Sequence, residues 1–378
     1  MLIHIDGSAV TDATSGSATA GRSHTCIENL LLAHFEGNHI VSLLPDDAAT
    51  LRAVPWSDRA RRALDHAEEN YSQIAGLRGD ISWSLELGLG PIFEAAAAEE
   101  SNGKTVLRAP IHRFERVHTT ACSALLGENL TDAELFREFG LMRRADRRWE
   151  DVEMIHEPDG TGGSTFAPTY KQVADRGKIL LAIADTDRRH PTSGVGDTYR
   201  KLEGEASGRP SYQRARALHT RTAEALVPLP VYLEAFQASH HHDDAHIQGI
   251  VARLEQLLRS APAEMRHHAD FKRGITLYQI HNPKTEAEGT YWRGIAETAR
   301  RDQCSLPTAK ECTKREECRC YVVDGLGDHA LSDALAWLQN QRSKRRLAER
   351  FGLSQNAELT ALAEEVLAWG LALSPVMT

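Results

Sequence analysis

Two carboxylates stand directly after an apolar run in "KILLAIADTDRRHPTSGVGDT", residues 178–198, and they are Asp185 and Asp187. A third, Glu128, closes another apolar run, "TTACSALLGE". If both runs are strands of one parallel sheet, their ends lie on the same edge and the three carboxylates can converge. Crowding like charges is unfavourable unless a cation sits between them. Hard divalent cations such as Mg²⁺ or Mn²⁺ prefer such oxygen ligands. Asp185 and Asp187 are two positions apart, so extended backbone through them points both to one face.

The elements that must position these groups follow from the pattern. "LTDAELFREFGLM" carries apolar residues at helical spacing, with Thr131 or Asn129 as its N-cap. "VEMIHEP" reads as a strand, "DGTGGSTF" as a loop, and "APTYKQVADRG" as a helix leading into "KILLAIADTD". This β-α-β-α-β order predicts an α/β chain with a mainly parallel sheet flanked by helices and functional groups at the strand C-termini. Residues 1–115 read as a separate α/β module with a regulatory or partner-binding role: a strand in "LIHID", a Gly/Ser/Thr-rich connection over 7–25, then a helix, a turn and a strand in "CIENLLLAHFEGNHIVSLL". Residues 116–290 form the predicted catalytic domain. Residues 291–378 begin with a cysteine-rich loop and continue as a mostly helical region, ending in a helix over 356–372.

The catalytic segment resembles the TOPRIM (topoisomerase–primase) superfamily, whose pattern is a glutamate after one strand and Asp-x-Asp after a later one. "ALLGENLTDAELF" is similar to the first motif, with Gly127 before Glu128 where the usual order is reversed. "LAIADTDRRHP" matches the second, and "TSGVGDTYRKL" resembles the Gly-x-Gly-x-Thr segment of TOPRIM-like proteins of bacterial anti-phage systems. "HTRTAEALVP" resembles the Arg-x-x-Glu-Asn-x-x-Pro stretch of that branch, with Ala225 in place of asparagine. "HADFKRGIT" resembles its Asp-x-Lys-x-Gly motif. The resemblance implies a Rossmann-like sheet, Glu224 as a further metal ligand, and Lys272 stabilising charge on the scissile phosphate. It implies that Asp270 orients that lysine or touches the metal. By the same resemblance the chain is a nuclease effector of anti-phage defence, released by a partner such as an ATPase or a reverse-transcriptase complex.

Hydrolysis of a phosphodiester needs only the metal site, a positioned water and a cation near the phosphate. Topoisomerase or primase chemistry needs a nucleophilic tyrosine or a polymerising scaffold besides. Arg188, Arg189 and His190 follow the acidic pair and either contact a nucleic-acid backbone or offset the local negative charge. "GTGGST" at 160–165 lacks the P-loop lysine and reads as a crossover loop.

Cys304, Cys312, Cys318 and Cys320 are separated by seven, five and one residues. Four thiolates can fill a structural Zn²⁺ site; unliganded thiols and a redox pair are the alternatives. "SHHHDD" at 239–244 reads as an exposed loop. Asp6, Glu28 and Asp80 of the N-terminal module resemble only faintly the acidic layout of a PIN-type nuclease.

A net charge of −9 argues against a general electrostatic hold on nucleic acid, leaving local acidic metal chemistry open. The basic run Arg143, Arg144, Arg147, Arg148 and the run Lys344, Arg345, Arg346, Arg350 read as solvated helix faces. No stretch is apolar enough for a membrane span and the N-terminus does not resemble a signal peptide, so a cytoplasmic protein, free or as a homo-oligomer, is expected. Two rivals share the acidic site: a hydrolase of nucleotides or other small phosphates, and a non-catalytic TOPRIM-like binding module.

Overall fold

A computed structural model of the chain describes residues 1–378 apart from 96, 161, 240–243, 304–319, 354 and 377–378. Its contacts form two compact units: Met1–Ile183, Leu202–Arg216 and Ser343–Thr378 in the first, Ala184–Lys201 and Ala217–Arg342 in the second. This division cuts across the segments 1–115, 116–290 and 291–378. Aromatic packing inside the first unit draws on all three. Phe114 lies 5.5 Å from Tyr212 between ring centroids, and Trp83 lies 5.2 Å from Trp369. Arg214 sits over the Trp83 face as well, so residues of all three sequence segments share one core.

The first unit begins with strands β1 (Leu2–Ile5), β2 (Ile40–Ser42), β3 (Trp83–Gly88), β4 (Ala98–Ser101) and β5 (Lys104–Pro110). They form a sheet in the order β2-β1-β3-β5-β4, parallel except for the β4–β5 hairpin. The predicted loop over 7–25 is instead largely helical. Asp6 accepts from the Ser8 N–H at 2.9 Å and caps a helix over Gly7–Thr14, and a second helix already begins at Ala20. An N-cap outweighs the weak helix propensity of Gly, Ser and Thr.

Strands β6 (Ser123–Gly127), β7 (Val152–Met154), β8 (His156–Gly160), β9 (Leu180–Ala184) and β10 (Gln213–Ala217) follow. A four-stranded sheet runs β10-β9-β6-β8, with β6 parallel to both neighbours. Central strands β6 and β9 are buried throughout, as expected for apolar runs covered on both faces. "VEMIHEP" is two strands: β7 leaves this sheet and pairs antiparallel with β13 (Leu371–Leu373). The expectation of an α/β chain with mainly parallel sheets and a helical C-terminal region holds.

The helix Leu130–Asp146 is capped by Asn129, which accepts from the Asp132 N–H at 3.0 Å. Its Arg143 and Arg147 are not a solvated face. Both bind Glu364, a nearly buried carboxylate of the helix Ala357–Gly370 packed alongside. Lys344 likewise pairs with Glu138 at 2.7 Å.

The second unit is mostly helical. Leu229–Ser239 packs against Asp244–Ser260 and Ala330–Gln339, burying Tyr232, Phe236 and Leu254. Strands β11 (Ile275–Thr276) and β12 (Tyr321–Val323) pair antiparallel, and a capping box between Thr276 and Gln279 starts the helix Leu277–His281. Among the described residues no helix is long and apolar enough to cross a membrane.

Candidate functional site

Glu128 follows β6 directly and belongs to the first unit. Its carbonyl accepts from the Gly162 N–H at 2.6 Å. The reversed Gly127-Glu128 order has a local reason: a Cβ at Gly127 would lie 2.6 Å from the Ala133 nitrogen and 2.8 Å from the Asn129 oxygen. Only glycine lets the strand end approach the start of the helix that closely.

The other proposed ligands and phosphate-binding groups all lie in the second unit. Asp185 is the first residue after β9 and is half-buried; Asp187 is exposed. Extended backbone does not continue through the pair, because Asp187 has a φ of 52°. Aspartate tolerates this left-handed conformation better than most residues, at some conformational cost. The turn is held from both sides. The Asp187 N–H donates to the Arg221 carbonyl at 3.0 Å, the Gly196 N–H donates to the Thr186 carbonyl at 2.7 Å, and the Thr186 hydroxyl donates to the Thr220 carbonyl at 2.7 Å. Gly196, the second glycine of "TSGVGDT", lies under the Asp187 side chain. A Cβ there would fall 2.6 Å from the Asp187 Oδ2 and 2.8 Å from its Cβ.

Arg221 joins this loop to the segment 268–274. Its N–H donates to the His267 carbonyl at 2.6 Å, and its guanidinium binds Asp270 Oδ2 at 2.9 Å. The other Asp270 oxygen accepts from the Arg273 N–H at 2.8 Å. Both Asp270 oxygens are therefore engaged by protein donors, which fits a positioning role. Burial pulls the Arg221 guanidinium below its ordinary pKa, with the charge of Asp270 opposing and that of Arg189 adding to the effect.

Glu224 lies in the single turn Ala223–Leu226 and is 9% exposed. Its carbonyl accepts from the Tyr232 hydroxyl at 3.0 Å, and burial followed by the Glu224 charge raises that phenol well above its ordinary pKa. Ala225 is buried, and its carbonyl accepts from Arg266 Nε at 2.8 Å. Lys272 is 40% exposed, 3.7 Å from the exposed Asp328.

Arg188 is half-buried, and its Nε is buried without an acceptor. Arg189 reaches Glu288 at 3.3 Å, and its carbonyl accepts from the Trp292 indole at 2.8 Å. His190 is 6% exposed, with Nδ1 3.1 Å from the Thr192 hydroxyl. Behind it, burial lowers the pKa of His268, partly offset by a hydrogen bond to the Arg188 backbone. Sequence reasoning had no role for Arg221, Gly196, Glu288 or Trp292. The first two stand inside quoted motifs; the last two are ordinary helix residues in the sequence.

Cys304, Cys312 and Cys318 lie outside the described residues, as do His240, His241 and His242, so the zinc expectation falls there. Cys320 is half-buried, its carbonyl accepting from the Leu277 N–H at 2.9 Å. In the first unit Asp6 acts as a helix cap. Among the described residues no three His, Cys, Asp or Glu side chains are gathered as ready-made metal ligands. No protein-family model matches the chain, and neither curated proteins nor solved structures give a match.

Proposed function

We propose that the chain is a Mg²⁺- or Mn²⁺-dependent nuclease that hydrolyses phosphodiester bonds in DNA or RNA. The observation that carries this reading is the hydrogen-bonded union of three distant segments. Asp187 binds the Arg221 backbone, Arg221 binds Asp270, and the Asp270 carbonyl accepts from the Gly274 N–H at 2.8 Å. Segments that resemble one family's motifs thus meet around one loop. That loop carries an exposed carboxylate in a sparsely populated backbone conformation, a feature concentrated at functional sites.

The donor set suits the cation. Mg²⁺ keeps several waters and is held by one or two carboxylates together with substrate phosphate, without an all-protein cage. Asp185 and Asp187 supply two carboxylates from one loop of the second unit, with Glu224 as a further acidic candidate of the same unit. A divalent cation held there supplies Lewis-acid stabilisation of phosphate charge. Lys272, 40% exposed, adds a positive charge, while Arg188, Arg189 and His190 are the candidates to bind the strand. Asp270 holds Arg221, and through it the shape of the acidic loop. By the same family resemblance, a defence partner such as an ATPase or a reverse-transcriptase complex regulates the nuclease.

The test is incubation of the protein with plasmid DNA and with total tRNA, with Mg²⁺ or Mn²⁺, beside Asp185→Asn/Asp187→Asn. Cleavage by the wild type that the variant lacks supports the reading. Equal cleavage by both overturns it.

A further inference from the structure

The second unit contains a cavity of about 230 Å³ whose lining includes Arg189, Arg221, Lys284, Asp270, Glu288 and Trp292. Three cationic side chains thus face two carboxylates. Arg221 is 12% exposed and spends one guanidinium nitrogen on Asp270, while its Nε is buried without an acceptor. A guanidinium carries five donors in a fixed fork, and a buried donor without a partner is unfavourable. Arg189 is 36% exposed and holds Glu288 only across 3.3 Å. Its backbone is anchored by the Trp292 indole, so the chain is fixed while the guanidinium keeps donors to spare. Lys284 is exposed at the rim.

We propose that this cavity captures the terminal phosphate monoester of a nucleic-acid strand. A terminal phosphate carries close to two negative charges and three acceptor oxygens, which matches clustered arginine forks better than a singly charged internal diester does. The cavity is also smaller than the roughly 300–1,000 Å³ of pockets that enclose whole small molecules. It therefore suits one end group, not a strand running through. The phosphate displaces Glu288 from Arg189 and takes the donors that Arg221 leaves unused. The choice of an oligonucleotide ligand rests on the nuclease reading; capture of a phosphate monoester does not.

The test is isothermal titration of the whole chain in EDTA with pdTpdT, with dTpdT lacking the 5′-phosphate, and with inorganic phosphate. Without metal it reads capture alone, so loss of hydrolysis and loss of this site are distinguishable. The 5′-phosphate is expected to tighten binding about tenfold. Arg189→Gln removes that preference. Glu288→Gln strengthens it by freeing Arg189, an increase that a purely structural role does not produce. Equal affinities for pdTpdT and dTpdT, or a preference unmoved in both variants, overturn the proposal. Inorganic phosphate binding as tightly as pdTpdT overturns the assignment to a strand end.

Discussion

The Arg221 guanidinium binds Asp270 at 2.9 Å, and the Arg221 carbonyl receives the Asp187 N–H at 3.0 Å, so one residue ties an acidic loop to a segment about 85 positions later. Both members of the ion pair are largely buried. Removing one partner of such a pair strands the other charge and costs about 3–5 kcal/mol. Asp270→Ala is expected to destabilise the second unit by about that amount in urea unfolding, with activity lost in proportion to the disturbed loop. A change within about 0.5 kcal/mol, the range of an ordinary surface substitution, contradicts a structural role for the pair.

Gly196→Ala tests the loop more locally. The new Cβ falls within 2.8 Å of Asp187, so the carboxylate must move. Displacement of a reacting group by about 1 Å costs on the order of a hundredfold in rate. The expected outcome is a folded protein with its thermal midpoint little changed and cleavage down by about that factor. Wild-type cleavage in Gly196→Ala contradicts the placement of Asp187 at the reacting centre.

Much of this was legible in the sequence because it depends on short-range chemistry. The apolar runs ending at Glu128 and Asp185 predict β6 and β9, and Asn129 was one of two predicted caps. What escaped depends on partners distant in the chain. Trp83 meets Trp369, and Arg143 meets Glu364; no local pattern announces either pair, so the core shared along the first unit was not foreseen and the solvated-face reading of Arg143 did not hold. The left-handed Asp187 escaped because its turn is fixed by Arg221 and Gly196 rather than by its own neighbours. Glu288 and Trp292 escaped because nothing in their helix marks it as the wall of a cavity.

Three buried histidines of the first unit set a pH dependence. Burial lowers His34 and His156 to about 3 and takes His39 well below its ordinary value. His34 Nδ1 accepts from the Val41 N–H at 3.1 Å, leaving Nε2 as the protonated nitrogen toward His66 at 3.0 Å. These rings are neutral in the fold and charge in the unfolded chain. Their contribution is fully present above about pH 6.5 and is lost progressively as pH falls below it, down to about 3 for His34 and His156, by up to about 1.4 kcal/mol per pH unit for each ring. Urea unfolding at pH 7.5, 6.5 and 5.5 is expected to show stability falling across the last interval. A flat profile there contradicts the buried neutral histidines.

Glu365 offers a contrast between buried and surface pairs. Its side chain is 1% exposed and is held by Arg214 at 2.5 Å and by Arg216. Glu365→Ala leaves two arginines uncompensated and is expected to cost about 3–5 kcal/mol. Glu349→Ala, which removes the exposed pair with Arg345, is expected to change stability by less than about 1 kcal/mol. Similar losses for both variants, measured by chemical denaturation, contradict the assignment of Glu365 to the core.

The central claim is that the Asp185–Asp187 loop holds a divalent cation, and Mn²⁺ titration calorimetry of the wild type beside Asp187→Asn tests it without requiring a substrate or an activating partner. Asparagine keeps the shape and tolerates the left-handed backbone while removing the charge. The account predicts saturable Mn²⁺ binding to the wild type and at least tenfold weaker binding to the variant, both remaining folded. No binding to the wild type, or equal binding to both, contradicts it.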